Sequence, residues 1–140
     1  MAKKLALVFG GSRGIGSACV EILQNEFEVA FTCVSGTSGH RADIQRPEDV
    51  KSVFESVEKR YSRKVDCVVV NAGINVPPGP VDTELFRAGK TEEAKQKSAA
   101  LSPFNRIGRP REVAEVVAFL ASEKASWVQG QIVQPNGGMI

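Results

Sequence analysis

A parallel α/β sheet with helices packed on both faces is the fold class this sequence predicts. Three observations carry it. An apolar run enters a glycine turn and an amphipathic helix within residues 5–25, a β-branched run follows at residues 28–34, and residues 65–70 (VDCVVV) are nearly all apolar. Strands buried on both faces read as continuous apolar runs, and alternation with helical periodicity is the signature of βαβ units.

Residues 5–9 (LALVF) form the first predicted strand, and Gly10, Gly14 and Gly16 form the turn after it. Ile15, Ala18, Cys19, Ile22 and Leu23 then recur at i, i+3, i+4, i+7 and i+8, which is one face of a helix. The helix therefore begins inside the glycine turn. Glycine permits positive φ and close backbone approach, so the first unpaired N–H groups and the positive end of the helix dipole can face a phosphate. A tight strand-to-helix turn without a ligand is the alternative, and the shared register of strand, turn and helix favours the phosphate.

Residues 28–34 (EVAFTCV) predict the second strand, closed by a Ser/Gly loop over residues 35–39 that leads to His40. Residues 41–44 suggest the stub of a third. Pro47 opens the next helix, with Glu48 and Asp49 suited to its positive end and Val50, Val53, Phe54, Val57 and Tyr61 on its inner face. The apolar run at 65–70 ends in Asn71-Ala72-Gly73. Residues 74–80 (INVPPGP) hold no full element. Residues 82–100 are polar and lysine-rich with helical propensity and little periodicity, which fits either a lid-like helix or a solvated linker helix. Residues 110–122 predict a helix facing inward with Val113, Val116, Val117 and Leu120, and residues 127–134 (WVQGQIVQ) a last short strand.

With 140 residues, 42% hydrophobic and 24% charged, the chain is expected to form one domain. A formal charge of +2 with dispersed basic residues lends no support to nucleic-acid binding. No apolar run approaches the ~20 residues of a membrane helix, and the run before Gly10 is too short for a signal-peptide core, so a cytoplasmic protein is expected. Cys19, Cys33 and Cys67 lie in or beside apolar segments without Cys-x-x-Cys spacing, and His40 is the one histidine. They read as reduced core residues, and no metal site is expected. No Gly-x-Ser-x-Gly elbow accompanies His40, which sets serine hydrolase chemistry aside.

Taken together, Phe9-Gly10-Gly11-Ser12-Arg13-Gly14-Ile15-Gly16, Asp43-Ile44, Asn71-Ala72-Gly73, Pro78-Gly79-Pro80-Val81-Asp82-Thr83 and the tail from Arg106 to Gly138 resemble the short-chain dehydrogenase/reductase family. The motifs stand in the family's order. The similarity covers nearly the whole chain as two blocks, residues 1–74 and 75–140. It implies a single dinucleotide-binding domain with a Rossmann-like parallel sheet, truncated internally: the fifth strand, most of the sixth and two helices of the family pattern have no counterpart. That block carries the family's chemistry, a serine that hydrogen-bonds the substrate carbonyl, a Tyr-x-x-x-Lys pair and a supporting asparagine. In such a pair the lysine charge lowers the tyrosine pKa toward working pH. Tyr61 is the one tyrosine here and its next lysine is Lys64, one residue too close for the pattern. No catalytic residue is therefore assigned, and Tyr61 reads as the end of a helix face.

The resemblance implies cofactor positions one at a time. Gly10, Gly14 and Gly16 would line a pyrophosphate, with Ser12 and Arg13 in the turn and Ile15 opening the helix. Arg13 can pair with a 2′-phosphate, and the second strand lacks the terminal acid that holds a free ribose 2′-hydroxyl, which favours NADP over NAD. A solvated turn residue is the alternative for Arg13. Asp43 and Ile44 would flank the adenine, although a turn role for Asp43 stays open. Asn71, Ala72 and Gly73 would pass beneath the ribose, and Pro78, Gly79, Val81 and Thr83 would form the nicotinamide side. Two further departures are the eight residues between Val34 and Asp43, where the family has a helix and a strand, and Phe9 in place of the family's threonine.

In the family's sheet the ends of the fourth and sixth strands stand about 10 Å apart at ~4.8 Å per strand, a gap a few extended residues can bridge. Removing the middle opens the edge of the strand at 65–70. Either residues 131–134 move in beside it, or the chain self-associates or pairs with an intact family member. The functional expectation is an NADP-binding oxidoreductase-like protein, impaired or inactive alone for want of the serine and the Tyr-x-x-x-Lys pair. The alternatives are an active NADP-dependent carbonyl/alcohol oxidoreductase, a non-catalytic cofactor-binding or regulatory module, and a deletion product without function.

Overall fold

Alternate residues of the first strand point to opposite faces, and both faces are covered. The computed structural model describes residues 3–34, 39–72 and 79–139. Strand β1 (Lys4–Phe9) is buried from Leu5 onward. Leu5, Leu7 and Phe9 join Val53 and Val57 of helix α2 (Pro47–Tyr61) in one cluster. Ala6 and Val8 join Cys19, Val20 and Leu23 of α1 (Gly14–Leu23), with Ala114 of α5 (Pro110–Ala121), in the other. A sheet between helical layers follows from this period-2 division of an all-apolar strand.

The sheet has four strands in the order β3-β2-β1-β4, with β2 at Phe27–Cys33, β3 at His40–Arg41 and β4 at Cys67–Val70. All pairings are parallel, with Leu7 opposite Ala30 on one side and Val68 on the other. α2 obeys its sequence signals: Pro47 opens it, Glu48 and Asp49 meet its positive end, and Ser62 closes it with φ 54°. Tyr61 ends that helix and packs against the core of its face.

Several expectations need correction. The third strand is His40–Arg41, not residues 41–44: Thr32 pairs with His40, which draws the histidine out of the loop into the sheet. The polar segment at 82–100 forms two helices, α3 (Glu84–Arg87) and α4 (Glu92–Ala100), each capped by a threonine hydroxyl. Gly89, with φ 72°, breaks the run between them. β4 is covered on one face only. Cys67 and Val69 pack toward α1 and α5, while Val68 and Val70 face outward on the α2 side, Val70 at 75% exposure. The last predicted strand does not form. Residues 127–134 belong to no strand, and residues 131–134 do not move in beside β4. Among the described residues no helix is long and apolar enough to cross a membrane.

Candidate functional site

The glycine turn is built from the sheet outward. The Gly10 N–H donates to the Thr32 hydroxyl at 3.0 Å, and the Gly11 N–H donates to the Thr32 carbonyl at 3.0 Å. Thr32 is 1% exposed and clips the turn to β2 with both its oxygens. The Asn71 side-chain amide donates to the Gly10 carbonyl at 3.1 Å, fixing the turn to the end of β4. Phe9, standing where the family's threonine would be, serves packing instead, with its ring 6.0 Å from that of Phe54.

The turn has little room for side chains. Gly10 and Gly14 hold φ of 76° and 57°. A methyl group on Gly16 would stand 2.0 Å from the Gly10 carbonyl oxygen and 2.5 Å from the Asn71 amide nitrogen. One on Gly10 would meet the Ala72 backbone at 2.9 Å, and one on Gly14 would stand 3.3 Å from the Thr83 methyl. Predicted positions far apart in sequence are thus brought together: Gly10 against Ala72, Gly16 against Asn71, and Gly14 against Thr83.

Helix α1 starts at Gly14 with Arg13 as its N-cap, and the Arg13 side chain makes no capping bond. No acidic residue lies in its first turn. The initial N–H groups of the helix are therefore not taken by a local carboxylate or hydroxyl at the cap, and Ser12 and Arg13 are exposed beside them. Donor set and glycine cradle both fit a bound pyrophosphate, whose charge the helix terminus would favour.

The remaining positions divide. Asp43 accepts from the Gln45 N–H at 3.0 Å through its carboxylate, and its own N–H donates to Asp49 at 3.0 Å, so it organises the turn into α2. Ile44 packs against the α2-side core. Gly73 and Pro78 lie outside the described residues. Gly79 and Val81 are buried, Val81 bridging to Gly108 in parallel. They line a cavity of about 230 Å³ with Ser102, Phe104, Arg106 and Asn136. Thr83 caps α3 by accepting from the Phe86 N–H at 3.1 Å, which directs its methyl to Gly14.

At the cavity wall Arg106 and Glu112 form an ion pair. Arg106 holds Glu112 through two bonds of 2.8 and 2.6 Å, and Glu112 also accepts from the Arg109 N–H at 2.7 Å. The Arg106 guanidinium, and then that backbone donor, lower the Glu112 carboxyl to about 2. Arg87 in the same manner holds Asp82 below the usual carboxylate range. Away from the turn, His40 lies 3.3 Å from the Ser56 hydroxyl, and burial followed by the Arg60 charge lowers its pKa. Among the described residues no group of three or more His, Cys, Asp or Glu converges as a metal set. Cys19 and Cys33 are buried and Cys67 is half-buried.

Thr32 and Gly11 are the turn residues that sequence reasoning missed. A methyl group on Gly11 would stand 2.5 Å from the Phe31 Cβ, so this glycine lets β2 approach. The signal for Thr32 was present: strand period buries it among apolar neighbours, and a buried hydroxyl must find a partner.

Comparison with known proteins agrees with this geometry. A family model described as enoyl-(acyl carrier protein) reductase matches residues 75–140. An Arabidopsis thaliana protein named NADPH-dependent aldehyde reductase-like protein, chloroplastic, is 40% identical over 90 residues, 64% of this chain. A Picea abies protein named short-chain type dehydrogenase/reductase is 48% identical over 90 residues. The chain spans 33% of the length of each of these relatives. The solved structure of Thermoplasma acidophilum aldohexose dehydrogenase in ligand-free form superposes with a TM-score of 0.86 at 20% identity, over 99% of this chain and 94% of that one, a likeness of fold. The glycine turn, the parallel sheet and these sequence matches together place the chain in the short-chain dehydrogenase/reductase family.

Proposed function

We propose that this chain binds NADP(H) at the glycine turn and does not on its own complete the hydride transfer between nicotinamide and a carbonyl or alcohol that the family resemblance implies. The observation that carries the binding half is the uncapped start of α1, set in a cradle where methyl groups on Gly10 and Gly16 would strike backbone. Thr83, held against Gly14, supports a surviving nicotinamide-side wall. Arg13, exposed and without a cap bond, is the residue we assign to a 2′-phosphate, and the name of the Arabidopsis relative points the same way. When bound, the dinucleotide would supply the hydride. This chain's residues would hold its phosphates and orient its ring.

The catalytic half rests on the sequence. No Tyr-x-x-x-Lys pair is present, and Tyr61 closes α2 on the core of its face. Without a placed acid/base, proton transfer to the developing alkoxide loses ~10²–10⁴-fold, and without an oxyanion donor it loses more. The test is titration of the purified chain with NADPH and NADH, followed by cofactor fluorescence, beside a carbonyl reductase assay. Saturable NADPH binding tighter than NADH, without turnover, is the expected result. Turnover at the rate of an intact family member would overturn the catalytic half, and absence of saturable binding the other.

A further inference from the structure

Two features of the fold have no strand partner among the described residues, and they are complementary. The first is the outer edge of β4. Its inner side is bonded to β1, with the flanking Asp66 N–H on the Leu5 carbonyl at 2.9 Å and the Asn71 N–H on the Phe9 carbonyl at 3.2 Å. On its other side no described residue pairs with it. Its sequence, CVVV, carries none of the lysines, prolines or bulges that blunt exposed strand edges, and Val70 stands outward.

The second is the segment 127–134. Its composition, WVQGQIVQ, is uncharged, proline-free and rich in strand formers. Its hydrogen bonds among the described residues are local, such as Val128 N–H to the Ala125 carbonyl and Gln131 to the Gln129 carbonyl. Trp127 is 97% and Ile132 88% exposed. The segment is tethered at both ends. Glu123 pairs with Lys4 at the start of β1, and at the other end the Ser102 hydroxyl donates to the Gly137 carbonyl at 2.7 Å, where Asn136 lies against Gly79, a few residues before the Thr83 that meets Gly14 beyond the far end of β1. It therefore already runs in the direction of the strands.

We propose that two copies of the chain pair reciprocally, residues 127–134 of each lying as a parallel fifth strand along the open edge of β4 in the other. A second copy is the occupant because it brings, at equal concentration, a strand-forming segment that no described residue pairs with. Pairing would satisfy the outward N–H and C=O groups of β4 and bury Val70 and Ile132 together. An exchange that uses the same two surfaces on both copies closes as a dimer. The inference does not depend on cofactor binding.

The test is sedimentation equilibrium on the full chain across a concentration series, with two variants. Ile132→Pro removes a backbone donor from the segment where no secondary structure exists to be broken. Val70→Lys places a charge at the β4 edge. The expected result is a concentration-dependent wild-type dimer, each variant monomeric with an unchanged far-ultraviolet circular dichroism spectrum, and partial dimer recovery when the two are mixed, since one intact edge then meets one intact segment. A wild-type monomer throughout, assemblies beyond a dimer, a dimer indifferent to both substitutions, or no recovery on mixing would each overturn the proposal. So would a wild-type chain that associates only with an added intact family member.

Discussion

At Gly16 the absence of a side chain is enforced by one oxygen, the Gly10 carbonyl, 2.0 Å from where a methyl group would stand. Gly16→Ala must push the turn away from Asn71 and is expected to destabilise the fold by about 2 kcal/mol, seen as a lower urea midpoint, with NADPH binding lost. Thr32→Val removes the acceptor of the Gly10 N–H inside a site that is 1% exposed. A destabilisation of about 1–3 kcal/mol is expected from the unsatisfied donor, read in the same urea titration. Arg13→Ala should behave in the opposite way. It makes no cap bond and is exposed, so stability should move by less than about 0.5 kcal/mol, while NADPH affinity falls roughly 10-fold or more and NADH affinity holds. A parallel loss for both dinucleotides in a binding titration would deny Arg13 its role in selection.

Elements here obey local signals where those signals are complete. α2 has its proline, its acidic first turn and a left-handed Ser62 at its end, and it forms where the periodicity places it. α5 has Pro110 at its start and Glu112 reaching back to the Arg109 N–H. That carboxylate makes the helix start sensitive to pH. Its folded pKa of about 2 lies below the ordinary value of 4.5, so the carboxylate's contribution is complete above about pH 4.5 and is lost as pH falls toward 2. Since Glu112 is partly exposed and screened by water, the contribution is modest, about 0.5 kcal/mol. Glu112→Gln should therefore melt below wild type at pH 7, with the difference in Tm shrinking between pH 4.5 and 3. A gap independent of pH would place the effect in packing. Residues 127–134 show the opposite case. Their composition predicts a strand, yet a strand needs a neighbour to complete its hydrogen bonds, and among the described residues none lies beside it.

Across the whole molecule, both faces of the sheet carry a core, but β4 is covered on one face only. α1 and α5 cover the face that holds Ala6, Val8, Cys67 and Val69, while α2 covers Leu5, Leu7 and Phe9 but leaves Val68 and Val70 in water. A sheet with such a half-covered strand should be marginally stable and gain visibly from any ligand that binds the folded state alone. NADPH at about 100 times its Kd should add about 2.7 kcal/mol, a rise in Tm of several degrees in differential scanning fluorimetry. Tyr61→Phe should leave that rise intact, because Tyr61 packs on the far end of α2. Loss of the rise in this variant would place Tyr61 in the cofactor site instead.

Leu5 to Leu23 was legible because every determinant of that unit is local: an apolar run, glycines where φ turns positive, and an apolar helical face. The same holds for α2, α5 and the family motifs. What the amino-acid order alone determined is thus the βαβ core, the glycine turn that opens directly into a helix and the lack of a tyrosine–lysine pair. Only the tertiary structure decided that Thr32 clips the turn, that Thr83 meets Gly14 and that Asp43 serves its own turn. It also decided that His40 joins the sheet and that residues 127–134 pair with no described strand. The physical reason is common to all of these. Local conformation depends on neighbours a few residues away, whereas a hydroxyl's partner, a glycine's clearance and a strand's edge depend on which distant segment lies alongside.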